Sequence, residues 1–405
     1  MEPELAVALP AAGAACAAVL RPRPNLAVII GALLGLGGLA AIVLSTPGLV
    51  SDALGVSLSL SAPARAMLIV AAASLAVVVV FAPERAERSR LLGFGLAGLA
   101  GMTAIAVAPT LDVVILILLA LVVLQAAAPA AGPFSGRVRA PAFAVAILAA
   151  GLVLTRLAGP SLLERFGAVG LVAGLVAAVG ALPYMHEFDA EESTAASPIP
   201  WAAFIGPVLA VTIVMRAREL FPSAAGAFGA MLIGLGLLNM IWGCLAAWRT
   251  EADVSAWRYS FSGDWGLALC GFGLALPEAQ GAAVLILSSV LLARLPLYLW
   301  SRQALRDKVQ TDRPLNLLVA AVLAGSAPFL GFGARILLLH SATALYWPLA
   351  LVIATSLLLW VPSSLRLGRS LGRPKGPQLV GIVLVLAVNV ALGIFPQPLL
   401  LLAGQ

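Results

Sequence analysis

The chain has 405 residues, of which 62% are apolar and only 10% are Asp, Glu, Lys or Arg, and its formal net charge is +6. An average soluble domain is about 45–50% apolar and about 25% charged, so this chain lacks the polar surface that a compact soluble globule needs. The composition excludes a soluble enzyme, a disordered chain and a secreted disulfide scaffold. It indicates a polytopic membrane protein.

Fourteen apolar segments follow one another along the chain, and each is predicted to cross the bilayer as a helix, because backbone groups in lipid must bond internally. The first and the tenth segments are the shortest. The segments cover approximately residues 5–20, 26–47, 66–82, 91–109, 111–131, 141–158, 166–185, 200–215, 224–247, 264–276, 281–300, 316–340, 344–361 and 378–400. We therefore expect an all-α polytopic membrane protein with about 14 transmembrane helices.

The basic residues of the loops predict the orientation of these helices. Loops after odd-numbered helices carry seventeen Lys and Arg residues, whereas loops after even-numbered helices carry five. Because Lys and Arg concentrate in cytoplasmic loops, the odd loops are predicted to be cytoplasmic and both termini to face outward. The excess of basic residues is therefore explained by membrane topology, and we expect no nucleic-acid partner. The high ratio of Arg to Lys, with abundant Ala and Gly, is typical of a bacterial protein, which would place the chain in the cytoplasmic (inner) membrane.

The metal-ligating residue types are few and scattered. Cys16, Cys244 and Cys270 lie in apolar stretches without a CxxC motif, so we expect small buried side chains and no metal or redox site. His186 and His340 are far apart in sequence. The sequence contains no nucleophile triad, P-loop or dinucleotide-binding motif, so we expect no catalytic residue and no cofactor in this chain.

Two arginines, Arg294 and Arg335, lie within long apolar runs rather than in loops. A charge at the bilayer centre costs about 2.5–3.5 kcal/mol on insertion scales, so such a residue is a functional candidate by default. The structural alternative is a side chain that reaches an interface, or an ion pair that fixes neighbouring helices. The sequence leaves both interpretations open.

The segment before Arg335 is rich in residues that interrupt helices: Gly325, Pro328, Gly331 and Gly333. Proline removes a backbone donor, and glycine lowers the cost of unusual dihedral angles. We therefore predict a broken helix near residues 325–335, of the kind that lines polar cavities in transporters. Pro183 marks a weaker second break.

The acidic residues near the predicted spans are Asp112, Asp264 and Glu278. Asp112 and Asp264 stand at the starts of the fifth and tenth segments and Glu278 in a tight connection, so an interfacial or capping role is the favoured interpretation of each. Gln125 and Asn239 are expected to form hydrogen bonds between helices.

A proton path needs side chains that gain and lose protons near neutral pH. Buried Lys, Glu and His can do so, whereas Arg stays protonated. The two lysines, Lys308 and Lys375, lie in predicted loops, so a lysine relay within the membrane is excluded. A path through this chain would use fixed arginine charges, with Asp264 or His186 as relays.

Several motifs, in order, resemble those of the antiporter-like subunits of respiratory complex I, Mrp antiporters and membrane-bound hydrogenases. Arg258–Gly266 resembles the family element AYSSI-x-H/Q-x-G, and Ala293–Leu299 resembles K-x-x-LFL with Arg294 at the lysine position. Gly325–Arg335 resembles G-x-PP-x-x-GF-x-x-K, so Arg335 takes the place of an ionisable Lys or Glu. Weaker matches are Leu182–Tyr184, Ser197–Pro200 and Gly393–Pro398.

The resemblance implies a fold of two inverted repeats. It places N-terminal helices at 1–109, a degenerate first repeat at 110–247, a second repeat at 248–361, and a C-terminal loop and last helix at 362–405. It also implies sibling membrane-arm subunits as partners. Redox cofactors (Fe–S clusters, flavin or NiFe, quinone) would lie in those partners.

The chain departs from the family where the family carries its relay residues. The glutamate position of the fifth span falls on Ala120 or Leu121, and the seventh and eighth spans contain no lysine. The favoured function is a mainly structural or partially proton-conducting subunit of a complex I-like proton-translocating oxidoreductase. The alternatives are an active proton or cation antiporter subunit, or an unrelated transporter in which Arg294 and Arg335 bind an organic anion.

Overall fold

The computed structural model describes residues 3–48, 51–53, 56–82, 85–127, 134–158, 162–182, 199–220, 225–374 and 376–404. The chain forms two compact units. The first comprises Met1–Val179 and Glu192–Phe221, and the second comprises Gly180–Glu191 and Pro222–Gln405.

The first unit is almost entirely helical. Its helices are α1 (Pro3–Val19), α2 (Pro24–Leu44), α3 (Ala62–Val80), α4 (Arg85–Val107), α5 (Leu111–Ala127), α6 (Phe134–Ala158), α7 (Leu162–Ala178), α8 (Trp201–Phe204) and α9 (Gly206–Leu220). A short antiparallel hairpin, β1 (Ser51–Ala53) and β2 (Val56–Leu58), joins α2 to α3, with Ser51 opposite Leu58. This hairpin lies between two predicted spans, where no strand was predicted.

Two arginine side chains form hydrogen bonds with backbone carbonyls at helix ends of the first unit. Arg65 donates to the carbonyl of Ser45 at 2.8 Å, next to the last turn of α2. Arg216, on α9, donates to the carbonyl of Ala108 at 3.0 Å, just beyond α4. Helix C-termini leave carbonyl groups without intrahelical partners, and these guanidinium groups satisfy such acceptors.

The described residues of the second unit form helices joined by turns and loops. Its helices are α10 (Ala225–Arg249), α11 (Asp253–Gly273), α12 (Pro277–Ser289), α13 (Leu295–Arg306), α14 (Pro314–Ala324), α15 (Leu330–Leu345), α16 (Trp347–Arg369), α17 (Pro377–Ile394) and α18 (Gln397–Leu402). A π turn at Val290–Arg294 joins α12 to α13 without interrupting the helical rod.

This rod, Pro277–Arg306, is the core of the second unit. In its most apolar 18-residue window, 89% of the residues are buried, against 28% in α16 and in α17, whose apolar faces are left for lipid. The π turn precedes Pro296, which has no N–H to donate and whose ring clashes with the carbonyl four residues earlier. A locally wider turn accommodates both effects.

The predicted helix break is confirmed. The helix α14 ends at Ala324, Gly325 adopts the left-handed conformation with φ +62°, and α15 begins at Leu330. The amide of Ser326 donates back to the carbonyl of Ala321 at 3.0 Å, which closes the end of α14. Gly393 of α17 lies so close to Pro328 and Leu330 that a side chain there would meet their backbone atoms.

The all-α polytopic architecture predicted from the sequence is also confirmed, and each predicted segment falls on one or more helices. Seven described helices are long and apolar enough to cross a membrane, and six further described helices are shorter and apolar. The largest boundary error concerns the tenth predicted segment, which began at Asp264, whereas α11 begins at Asp253. Asp264 therefore lies mid-helix, and the expected interfacial role is incorrect.

Helices α10 and α11 approach closely along a stripe of glycines. A Cβ atom at Gly266 would lie 2.9 Å from Met240 Cα and would also overlap the Met240 amide and the Gly236 carbonyl. We expect Gly266→Ala to destabilise the protein by about 1–3 kcal/mol, because the obstructing atoms are backbone and cannot rotate away. Gly234→Ala on α10 is the matched control, since its Cβ would meet nothing within 4 Å. Thermal unfolding of the purified variants in detergent measures the difference, and equal midpoints would contradict the close packing.

Candidate functional site

Three charged side chains are buried among the residues that the structure describes: Asp264, Arg294 and Arg335. Their exposed fractions are 6%, 4% and 8%. All three belong to the second unit, whereas the described part of the first unit buries only uncharged polar side chains. The two arginines singled out from the sequence are thus brought together, and an acid joins them.

Asp264 and Arg294 form a buried ion pair. The carboxylate lies in the middle of α11, and the guanidinium comes from the last residue of the π turn. Arg294 Nη1 donates to the hydroxyl of Ser260, one helical turn before Asp264, and Nη2 donates to the carbonyl of Leu323 at 3.0 Å. Every terminal nitrogen of Arg294 thus has a partner, which is what a buried guanidinium requires. The pair joins α11, the π turn and the end of α14.

Arg335 lies on the far side of the helix break, in the second turn of α15. Its guanidinium carbon lies 4.9 Å from the ring centroid of Trp360, a cation–π distance. The same ring lies 5.9 Å from the guanidinium carbon of Arg294. Gly325 is in direct contact with Arg335, since a Cβ at that position would overlap the guanidinium group. The glycine of the break therefore creates the space that Arg335 occupies.

A cavity of about 20 Å³ lies against all three charged groups. This volume holds one water-sized particle, because about 10–15 Å³ suffices for a water molecule. It is lined by polar residues and by two glycines of the helix break: Asp264, Ser289, Arg294, Arg335, Gly325 and Gly331. With both arginines protonated and Asp264 ionised, the cluster carries a net charge of about +1. Asp264 is the group of the three that can exchange a proton, because arginine stays protonated at neutral pH.

Asn239 joins α10 to α11, as predicted. The side chain is fully buried, and its Oδ1 accepts hydrogen bonds from the hydroxyl of Ser262 at 2.8 Å and from the amide of Leu182 at 2.6 Å. Its Nδ2 donates to the carbonyl of Leu235 at 2.9 Å. Ser262 is two residues from Ser260 and Asp264, so the polar residues of the Arg258–Gly266 motif serve both the ion pair and this contact.

The other acidic candidates, Asp112 and Glu278, have exposed side chains. Asp112 pairs with Arg156 at the exposed start of α5. Glu278, in the first turn of α12, accepts a hydrogen bond from His340 Nδ1 at 2.7 Å, and both side chains are more than half exposed. Interfacial positions were predicted for Asp112 and Glu278.

Some sequence predictions fall on residues outside the described ranges. Pro183 and His186 lie there, as does the side chain of Gln125, so the second break and the histidine relay stay predictions. The repeat boundaries likewise stay predictions. Cys244 and Cys270 are buried as expected, whereas Cys16 is half-buried.

Sequence reasoning missed three partners of the arginines: Ser260, Trp360 and the carbonyl of Leu323. One signal for the first was present, because Ser260 and Asp264 are four residues apart and share a face of any helix that contains both. The other two depend on tertiary packing between α14, α15 and α16, which has no local sequence signature.

Comparisons with solved structures find the same architecture elsewhere. A chain of respiratory complex I from Thermus thermophilus with bound NADH is similar with a TM-score of 0.78 and 17% identity, over 99% of this chain and 98% of that chain. A chain of the Mrp complex from Dietzia sp. DQ12-45-1b is similar with a TM-score of 0.79 and 17% identity, over 100% of this chain and 52% of that chain. This chain thus spans about half the length of that relative.

The membrane-bound sulfane sulfur reductase, an archaeal respiratory membrane complex, contains a third such chain, with a TM-score of 0.77 and 16% identity over 99% of this chain and 96% of that chain. The chain shares its fold with chains of these three membrane complexes. The resemblance predicted from the motifs is confirmed at the level of the fold, and the chain is a multi-pass membrane protein. No protein-family model and no curated relative matches the chain.

Proposed function

We propose that this chain is an antiporter-like membrane-arm subunit of a complex I-like proton-translocating oxidoreductase, and that its role is mainly structural. It bridges neighbouring subunits and holds a fixed positive charge beside them. Redox chemistry and its cofactors belong to partner subunits, of the NADH:quinone oxidoreductase or hydrogenase type. The loop charges support a bacterial cytoplasmic membrane location with both termini outside.

The observation that carries this proposal is the chemistry of the buried cluster. Where the resembling motifs carry an ionisable lysine, this chain has Arg294 and Arg335, which hold their protons. Arg294 is also tied to Asp264, Ser260 and Leu323, so its guanidinium cannot swing between two positions without breaking several bonds. A proton relay needs groups that release and rotate, and this arrangement supplies neither from its arginines.

Partial proton conduction is the second candidate, and one contact favours it. Asp264 lines the cavity beside Arg335, and a carboxylate next to a water-sized space can accept a proton from a water molecule. The organic-anion alternative is not favoured, because a cavity of about 20 Å³ has no room for an organic carboxylate.

The subunit role is tested by tagging the protein at its natural locus and identifying what co-purifies after gentle solubilisation. We expect a stoichiometric set of redox subunits and sibling antiporter-like chains. Arg335→Leu should lower the yield or the coupling of that complex, while the exposed variant Arg156→Leu should leave both unchanged. A chain that purifies alone, or only with copies of itself, would refute the proposal.

A further inference from the structure

We propose that the cavity beside Arg335 binds a small monovalent anion such as chloride. The proposal goes beyond the subunit role and does not depend on it. It rests on the charge balance, the donors and the size of the cavity.

The charge balance leaves one buried cation without a counter-charge. Asp264 forms its ion pair with Arg294, so the charge of Arg335 remains. Arg335 is buried, with an exposed fraction of 8%. Within the described ranges, no hydrogen bond or ion pair joins its guanidinium group to another residue. The Trp360 ring covers one face of the group at 4.9 Å, and this cation–π contact offsets part of the cost of burial. Burying a charge costs more than that, so the site favours an anion.

The donors around the cavity are those that hold anions in proteins. The guanidinium of Arg335 supplies N–H groups, and the hydroxyl of Ser289 can donate. Gly331 lies in the first turn of α15, a 16-residue helix whose N-terminus has no side-chain cap. The positive end of a helix dipole and its free amides favour a negative ligand. These groups are adjacent, since a Cβ at Gly331 would lie 3.7 Å from Ser289 Oγ.

The size of the cavity limits the ligand to a single-atom anion. A volume of about 20 Å³ accommodates one particle of roughly water size, which excludes phosphate, sulfate and organic carboxylates. Asp264 also lines the cavity, and its negative charge disfavours a divalent anion. A halide satisfies both limits.

The test measures the unfolding temperature of the purified full chain in lipid nanodiscs. Chloride is titrated against gluconate at constant ionic strength, so that general screening does not change. We expect a saturable rise of the midpoint with chloride, because a ligand that binds only the folded state stabilises it. In Arg335→Gln, the chloride concentration for half-maximal effect should rise about tenfold or more, since a charge-assisted hydrogen bond is lost. Arg369→Gln, which removes an exposed ion-paired arginine, should respond like the wild type.

A second variant and a second probe cover the case in which Arg335→Gln does not fold. Ser289→Ala removes a hydroxyl with little change in shape, and it should weaken the chloride response several-fold. Crystals soaked in bromide should show an anomalous peak between Arg335 and Ser289. A wild-type midpoint that is the same in chloride and gluconate, or a bromide map without a peak there, would overturn the proposal and leave a water molecule as the occupant.

Discussion

Replacing Arg294 with methionine is expected to destabilise the protein by about 3–5 kcal/mol, which is among the largest effects of any single change in this chain. The methionine fills a similar volume, so the loss does not come from a void. It comes from Asp264, which would stay buried, with an exposed fraction of 6%, after losing its ion-pair partner. Ser260 and the carbonyl of Leu323 would also lose their donor.

A double variant separates charge from packing. In Asp264→Asn/Arg294→Met both charges of the pair are gone, and we expect most of the stability to return, because a buried pair replaced as a whole is often near neutral. The exposed pair Asp112–Arg156 supplies the control, and Arg156→Met should cost less than about 1 kcal/mol. Thermal unfolding and the yield of folded protein in detergent measure all three. A double variant as unstable as Arg294→Met would mean that the ion pair is not the source of the effect.

Gly325→Val is expected to cost about 2–5 kcal/mol. A residue other than glycine in the left-handed region loses about 1–2 kcal/mol, and forcing extra atoms into a packed site costs about 1–3 kcal/mol. Gly325 has φ +62°, and a Cβ there would lie 2.8 Å from Nε of Arg335 and closer still to its Nη1 and Cζ atoms. The valine would therefore displace Arg335 from the Trp360 ring as well as strain the end of α14.

A second glycine of the same motif provides the matched control. Gly333 lies in α15, and a Cβ there would meet nothing within 4 Å. Gly333→Ala should be neutral or stabilising by up to about 1 kcal/mol, since alanine favours a helix. The unfolding temperatures of Gly325→Val and Gly333→Ala can be compared in one detergent. If the two variants were equally stable, the break would not be holding Arg335 in place.

Much of the architecture follows from local sequence. Apolar runs predict membrane helices because lipid offers the backbone no partner, and the cluster of glycine and proline between Gly325 and Gly333 predicts the break. The burial of Arg294 and Arg335 follows in the same way, from charges within apolar runs. These predictions rest on residues close in sequence.

The mid-helix position of Asp264 could not be predicted from local sequence. The first turns of α11, from Asp253 to Arg258, contain charged residues and look like a loop by hydropathy, so the segment appeared to start at Asp264. The structure continues the helix through this polar stretch, where Asp253 pairs with Arg366 at 2.7 Å. That contact spans more than a hundred residues, and tertiary partners of this kind override the local pattern. The contact of Trp360 with both arginines could not be predicted either, because it also joins residues that are distant in sequence.

Proton flux through the purified chain in liposomes tests the central claim most directly. The vesicles carry a pH-sensitive dye, and an imposed pH gradient with a potassium diffusion potential drives protons across the bilayer, with an added protonophore as the positive control. If the role is structural, flux in vesicles with the wild-type chain equals flux in empty vesicles, and Asp264→Asn changes nothing. Flux well above that of empty vesicles, lost in Asp264→Asn, would contradict the structural role and identify Asp264 as a proton relay.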